Sequence, residues 1–232
     1  MLPERGANRQ PPDPAAPHRT ELFFAAGLLF PFQKEIDFML DTAHDTALSS
    51  PVQTVRSAAR FLRPIDSTGL QAFAEKGRNN PAGRGTNKVH TVMEGQYRSL
   101  SQVGSHAPVV VDEPLHLFGQ DTAPAPGEIV LSGLGGCLAV GITAVATWKQ
   151  VQLSRLEVFL EGDIGNSAAW GAGGALAKQP PEMGFQAIRV KVVIEGDAPR
   201  EVLDEIVRHA SFYSPVANSL RNPVAFDIAL AD

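Results

Sequence analysis

Leu131-Ser132-Gly133-Leu134-Gly135-Gly136-Cys137-Leu138-Ala139-Val140-Gly141-Ile142-Thr143-Ala144-Val145 is the stretch on which the reading of this chain turns. Its residues Leu131, Leu134, Leu138, Ile142 and Val145 follow steps of three, four, four and three, the period of one helix face and not the alternation of a strand. The spacing predicts a helix from Pro126 to about Gln150. Gly133, Gly135 and Gly136 each cost that helix about 1 kcal/mol against alanine. Their presence therefore implies either close packing of the backbone on a neighbour or an opening beside Cys137. The tract lacks the G-x-G-x-x-G spacing and lies inside a helical pattern, and Gly171-Ala172-Gly173-Gly174 lacks the lysine and hydroxyl of a phosphate loop, so nucleotide binding is excluded.

Outward from the helix the pattern changes. Downstream, Leu156, Val158 and Leu160 alternate within Arg155 to Asp163, and Ile188, Val190, Val192 and Ile194 alternate within Gln186 to Gly196; both segments read as half-buried strands. The glycine- and proline-rich run Gly165 to Gly184, with Trp170, joins them as a long loop. A helix follows from Pro199 to about Tyr213, with Val202, Ile206, Ala210 and Tyr213 on one stripe, and Pro223 to Leu230 reads as a closing strand. Upstream, His90–Glu94, Tyr97–Val103 and Pro108–Asp112 read as three short strands in meander order, with turn signals at Gly95 and Gly104. The order predicts an α+β fold and not the βαβ alternation of a parallel sheet.

Before residue 66 the composition differs. Residues 1–20 hold five prolines and several charges and are expected to form a disordered tail. Residues 21–65 are expected to form a helical extension: Ile36, Phe38, Met39 and Ala43 recur at helical intervals between Gln33 and Leu48. Pro51 opens a second helix running to Arg63, with Val52, Val55, Ala59 and Leu62 on one face. Residues 66–232 make up the main domain, although Glu75 to Lys88 carries Gly77, Asn79, Asn80, Pro81, Gly83, Gly85 and Asn87 and reads as a linker or long loop. The apolar run Leu22 to Phe32 is too short to span a bilayer and contains Pro31. Charges of both signs precede it and Lys34, Glu35 and Asp37 follow, which argues against a signal peptide.

The 232 residues are 44% hydrophobic with a net charge of -5 and no basic run, so no electrostatic footprint for nucleic acid is present. Neither a nucleic acid nor a membrane is expected as a partner. One cysteine cannot close an intrachain disulfide, and a cytoplasmic setting is expected. Histidines 90, 106, 116 and 209 show no metal-ligand spacing, so no metal and no cofactor is assigned.

The residues around Cys137 carry a resemblance. Asp112-Glu113-Pro114, Leu117, Gly119, Asp121, Pro126, Glu128 and Leu134-Gly135-Gly136-Cys137-Leu138 stand in the order of the osmotically inducible protein C and organic hydroperoxide resistance (OsmC/Ohr) superfamily. Leu160-Glu161-Gly162-Asp163, Gly184 to Val190, Ser214-Pro215-Val216 and Asn222-Pro223-Val224 continue the pattern, so that it covers about residues 66 to 230. The resemblance implies an intertwined homodimer, with antiparallel sheets around long central helices and sites at the subunit interface. It also implies reduction of small hydrophobic hydroperoxides. Cys137 matches the peroxidatic cysteine, Glu128 the glutamate and Arg98 the arginine of the first hairpin. Ser214 stands at the resolving-cysteine position, which implies a single-cysteine branch using an external thiol reductant.

The chemistry explains that grouping. A thiolate is the nucleophile towards peroxide oxygen, a permanently charged guanidinium beside a thiol favours the thiolate, and a carboxylate orients the guanidinium. On a straight helix, however, nine residues turn by about 900° and rise by roughly 13 Å, placing Glu128 opposite Cys137. Either the helix breaks near Gly133 to Gly136, or the site combines two chains. Three readings stay open. Cys137 is a peroxidatic thiol, it serves another reaction such as hydrolysis or lysis of a small substrate, or it is a packed residue in a dimer that binds a small hydrophobic ligand. Glu128 can equally be a helix N-terminal carboxylate and Arg98 a solvated strand residue.

Overall fold

The Leu134, Leu138, Ile142 and Val145 stripe is buried, and the chain around it is arranged to cover it. The computed structural model describes residues 60–165 and 184–230, all within one compact unit, Ala58–Asp232. The expected tail, nearly all of the expected helical extension, and most of the Gly165–Gly184 loop with Trp170 lie outside the described residues. In chain order the described elements are α1 (Ser67–Asn79), β1 (Val89–Gly95), β2 (Arg98–Val103), β3 (Val109–Val111) and α2 (Pro126–Trp148). After them come β4 (Leu153–Ile164), β5 (Phe185–Gly196), α3 (Arg200–Tyr213) and α4 (Pro215–Arg221). A short 3-10 turn, Leu115–Leu117, precedes α2. The fold is α+β, with two antiparallel sheets.

β1, β2 and β3 form the expected meander, with Val89 opposite Val103 and Ser99 opposite Val111. Gly95 (φ 154°) and Gln96 (φ 48°) turn the first hairpin tightly enough that Gly95 and Arg98 pair directly. β4 and β5 form a long hairpin in which Leu156 faces Ile194 and Leu160 faces Val190. Across it Arg189 grips both oxygens of Asp163 at 2.6 and 2.7 Å and Glu161 at 3.0 Å. The hydrogen bonds from Arg189 hold the Asp163 carboxyl below its ordinary value.

The core has two parts along α2. Ile142, Val145 and Ala146 pack with Leu153, Ile194, Leu203, Ile206 and Ala210, while Leu134 and Leu138 pack with Ala217 beneath Val158, Leu160 and Ile188. By length and composition α2 also passes as a membrane span, but here its buried stripe is the shared wall of both core clusters. Its glycines serve different ends. A Cβ on Gly141 would stand 3.3 Å from Ala210 Cβ, and one on Gly135 would stand 2.8 Å from Leu160 Cδ1, so these two let α3 and β4 approach. Gly133 and Gly136 face open space. Both reasons anticipated for the glycines therefore occur, at different positions.

Several expectations are corrected. Residues Glu75 to Asn79 are the last turns of α1, not linker. Asp66 caps this helix by accepting from Thr68 N at 3.0 Å, and Lys76 and Arg78 suit its C-terminal turn. The turn residues from Asn80 onward mark the true end. The helix expected to reach Arg63 does not include Arg60 to Arg63, where Leu62 N donates to Leu153 O at 2.7 Å instead. On α3, Leu203 joins Ile206 and Ala210 in the core, while Tyr213 is exposed, because the stripe ends where the chain turns into α4. Pro223 to Leu230 forms no strand: a strand persists through its ladder, and among the described residues none pairs with this segment. Phe226, Ile228 and Leu230 stand 86, 90 and 98% exposed there.

Candidate functional site

Cys137 lies on α2 one residue before Leu138, so the helix that buries Leu138 leaves the thiol half-buried at the edge of the same cluster. Facing it is Ser214, 3% exposed at the joint between α3 and α4. The Ser214 Oγ accepts from Ala217 N at 3.2 Å as the N-cap of α4. That leaves its one proton free, and it donates to Cys137 Sγ at 3.2 Å. The serine thus joins the end of α3 to the middle of α2 through a polar contact inside an apolar wall of Leu134, Leu138 and Ala217.

Glu128 and Arg98 are placed elsewhere. Glu128, in the first turn of α2, reaches back with Oε2 to accept from Ala125 N at 2.8 Å. This is one half of a capping box, since Ala125 has no side-chain acceptor to supply the other. Arg98, at the start of β2, donates through Nε to Glu94 Oε2 at 2.7 Å and through Nη1 to Thr122 Oγ1 at 2.8 Å. Among the described residues of this chain, neither Arg98 nor Glu128 bonds to Cys137 or to the other. α2 runs unbroken through Gly133 to Gly136, which removes a helix break as the way to bring Glu128 to the thiol.

One group absent from the sequence reading as a site residue is Asp112, with none of its surface exposed. Its Oδ1 accepts from Glu113 N at 2.8 Å and Gln120 N at 3.4 Å, and its Oδ2 from Thr122 N at 3.1 Å and Thr122 Oγ1 at 2.7 Å. The loop folds back on this carboxylate through left-handed Phe118 (φ 67°) and Asp121 (φ 54°). Gly119 must be a glycine there, because a Cβ would overlap the Glu113 carbonyl. The Thr122 hydroxyl, aided by the Thr122, Glu113 and Gln120 amides and opposed by burial, lowers the Asp112 carboxyl from 3.8 to about 2. The signal in the sequence was the Asp112-Glu113-Pro114 turn followed by Asp121-Thr122, but nothing in it tells that a loop closes on the first carboxylate.

Among the described residues no group of three or more histidine, cysteine, aspartate or glutamate side chains is gathered to hold a metal. A groove of about 750 Å³ runs beside α2 between Leu134, Leu138, Ile188, Val192 and Leu220.

Residues 119–229 match the family model for OsmC-like protein. Among solved structures the chain is similar to an OsmC-like protein from Mycoplasma pneumoniae, with a TM-score of 0.49 and 16% identity over 60% of this chain and 89% of that one. It is also similar to an organic hydroperoxide resistance protein from Legionella pneumophila (TM-score 0.39, 18% identity, 60% and 91%) and to the organic hydroperoxide resistance protein OhrB of Bacillus subtilis (TM-score 0.41, 18% identity, 59% and 91%). No curated protein matches the chain. The likeness to this family is carried by residues 119–229, and the structural likenesses carry nothing about activity.

Asp112 makes a pH-dependent contribution of known sign. Between about pH 4 and pH 2 the unfolded chain binds a proton at this carboxyl and the folded chain does not, so lowering the pH favours unfolding. The stabilisation from Asp112 is complete above about pH 4 and is lost as the pH falls through about 2. In urea melts across that range, Asp112→Asn is expected to be less stable than the parent at neutral pH and to lose less on acidification. Equal acid slopes for the two proteins would contradict this.

Proposed function

We propose that this chain, which belongs to the OsmC-like family through residues 119–229, is a thiol-dependent peroxidase that reduces small hydrophobic organic hydroperoxides at Cys137, with an external thiol as reductant. The observation that carries the reading is the Ser214 Oγ to Cys137 Sγ hydrogen bond at 3.2 Å. A cysteine serving only as core packing needs no hydroxyl donor. This one is half-buried, meets a donor that must stay satisfied inside an apolar wall, and has open space at Gly133 and Gly136 on its own helix.

In the proposed cycle the Cys137 thiolate attacks the terminal peroxide oxygen. The S–O bond forms as the O–O bond breaks, and the departing alkoxide takes a proton and leaves as the alcohol. Sulfur loses two electrons and becomes a sulfenic acid; the peroxide gains them. An external thiol then displaces the sulfenic oxygen as water, giving a mixed disulfide. A second thiol returns Cys137 to the reduced state and departs as the oxidised disulfide. Ser214 has no sulfur to offer, so the chain does not resolve its own sulfenic acid. A cytoplasmic thiol pool suits this need.

The remaining charged groups are supplied across a homodimer. α2 is unbroken, and on an ideal helix Glu128 lies opposite Cys137 and roughly 13 Å along the axis. Arg98 and Glu128 of one chain therefore serve the thiol of its partner. The alternating exposed Val224, Phe226, Ile228 and Leu230, together with exposed Val140 on α2, supply apolar surface for such an assembly.

The reading is tested by thiol-dependent consumption of cumene hydroperoxide. The parent protein is expected to consume it with a monothiol present and Cys137→Ser is not; equal rates for both would remove the proposal. Ser214→Cys puts a second sulfur where Oγ now lies, within reach of a bond of about 2.05 Å. After one equivalent of hydroperoxide it is expected to lose its free thiols as an intrachain disulfide, whereas retention of both thiols would contradict the geometry of the pair. Sedimentation at micromolar concentration is expected to give twice the chain mass, and a purely monomeric species would refute the shared site.

A further inference from the structure

We propose that Asp112 and Thr122 are positioning residues for Arg98, acting as a two-step relay that fixes its guanidinium. This inference rests on the reading that Arg98 serves the thiol chemistry. The relay begins in the sheet register. Ser99 on β2 pairs with Val111 on β3, so Arg98 and Asp112, the next residues outward on two antiparallel strands, leave the sheet side by side. The loop after β3 then returns to place Thr122 between them.

The direction of each hydrogen bond is fixed by chemistry. A guanidinium only donates, an ionised carboxylate only accepts, and a hydroxyl has one proton with two lone pairs. Thr122 Oγ1 must therefore give its proton to Asp112 Oδ2, at 2.7 Å, and receive Arg98 Nη1 on a lone pair, at 2.8 Å. Asp112 is itself immobile, because backbone amides of Glu113, Gln120 and Thr122 surround it and no part of it meets solvent. A second hold comes from Glu94, whose Oε2 accepts from Arg98 Nε at 2.7 Å. Glu94 is the weaker anchor, since both side chains of that pair are partly exposed, at 29 and 41%. The buried carboxylate is the fixed point, and the hydroxyl transmits its position to the arginine. Gln120 ties the same loop to the first hairpin through Nε2 to Gln96 Oε1 at 2.6 Å.

The relay predicts that the hydroxyl of Thr122 matters and its methyl group does not. Thr122→Val keeps the shape and removes the hydroxyl; Thr122→Ser keeps the hydroxyl. For cumene hydroperoxide reduction, Thr122→Val is expected to lower kcat/KM by about tenfold, the scale of one lost hydrogen bond to a charged group. Thr122→Ser is expected to restore it. In an Arg98→Ala background, Thr122→Val is expected to add no further loss. A readout independent of peroxide chemistry is the rate at which phenylglyoxal modifies Arg98, followed by peptide mass: it is expected to rise in Thr122→Val and in Asp112→Asn and to return to the parent value in Thr122→Ser. Where a variant's circular dichroism shows lost structure, the serine variant and the parent still decide the modification arm. If Arg98→Ala leaves the peroxide rate unchanged, the assignment of Arg98 to the site fails. If Arg98→Ala slows the reaction but Thr122→Val does not, or if serine fails to restore the modification rate, the relay is overturned.

Discussion

The close approach of α2 to its two neighbours is the constraint on which the rest of this structure depends. A Cβ on Gly141 would stand 3.3 Å from Ala210 Cβ on α3, and one on Gly135 would stand 2.8 Å from Leu160 Cδ1 on β4. A methyl group at 141 would press on α3 by a few tenths of an ångström, and one at 135 would displace the end of the Leu160 side chain from its place in the core. The glycines lower the intrinsic helix propensity by about 1 kcal/mol each, and the burial of Leu134, Leu138 and Ile142 offsets that cost. Cys137 stands between Gly136, whose Cβ position faces open space, and buried Leu138, and is half-buried.

The singled-out polar residues fall in different places along and beside α2. The thiol and Ser214 stand at the α2 to α4 contact, while Arg98, Thr122 and Asp112 cluster where β2, β3 and the following loop meet. Glu128 belongs to neither group and closes the first turn of α2. Each cluster is satisfied by hydrogen bonds within its own chain. Asp112 is the fixed point of the second cluster. A carboxylate with no exposed surface is costly in isolation, and four donors around it remove that cost while fixing the loop that carries Thr122.

How much of this was legible depended on whether the signal was local. β4, β5 and α2 were readable because the alternation in β5 and the steps from Leu134 to Val145 are local patterns; the α2 steps mark a buried face, whereas in β5 Ile194 is buried, Ile188 and Val192 are half-buried and Val190 is exposed. The end of α1 resembles a linker in sequence because Gly77, Asn79, Asn80 and Pro81 crowd its last turn, whereas the helix is set by the Asp66 cap eleven residues before Gly77. α4 is too short to show a period, and its start signal, Ser214-Pro215, was read for its place in a family pattern and not as a cap. Residues 223–230 carry a strand's alternation but have no pairing neighbour among the described residues, and a ladder cannot be read from one edge. At the site, Cys137 and Ser214 were both singled out, yet only the fold shows them touching. Asp112 was visible as part of a turn, whereas its four donors arrive from residues as far as ten positions away and leave no period in the sequence.

The account therefore rests on whether the thiol that α2 holds against Ser214 reacts with peroxide oxygen. The most direct measurement is mass spectrometry of the reduced protein after one equivalent of cumene hydroperoxide in the presence of dimedone, which captures sulfenic acid. The account predicts a single dimedone adduct on the peptide containing Cys137, and its loss when a monothiol is added before the trap. An unmodified, still reduced Cys137 after exposure to the hydroperoxide would contradict it.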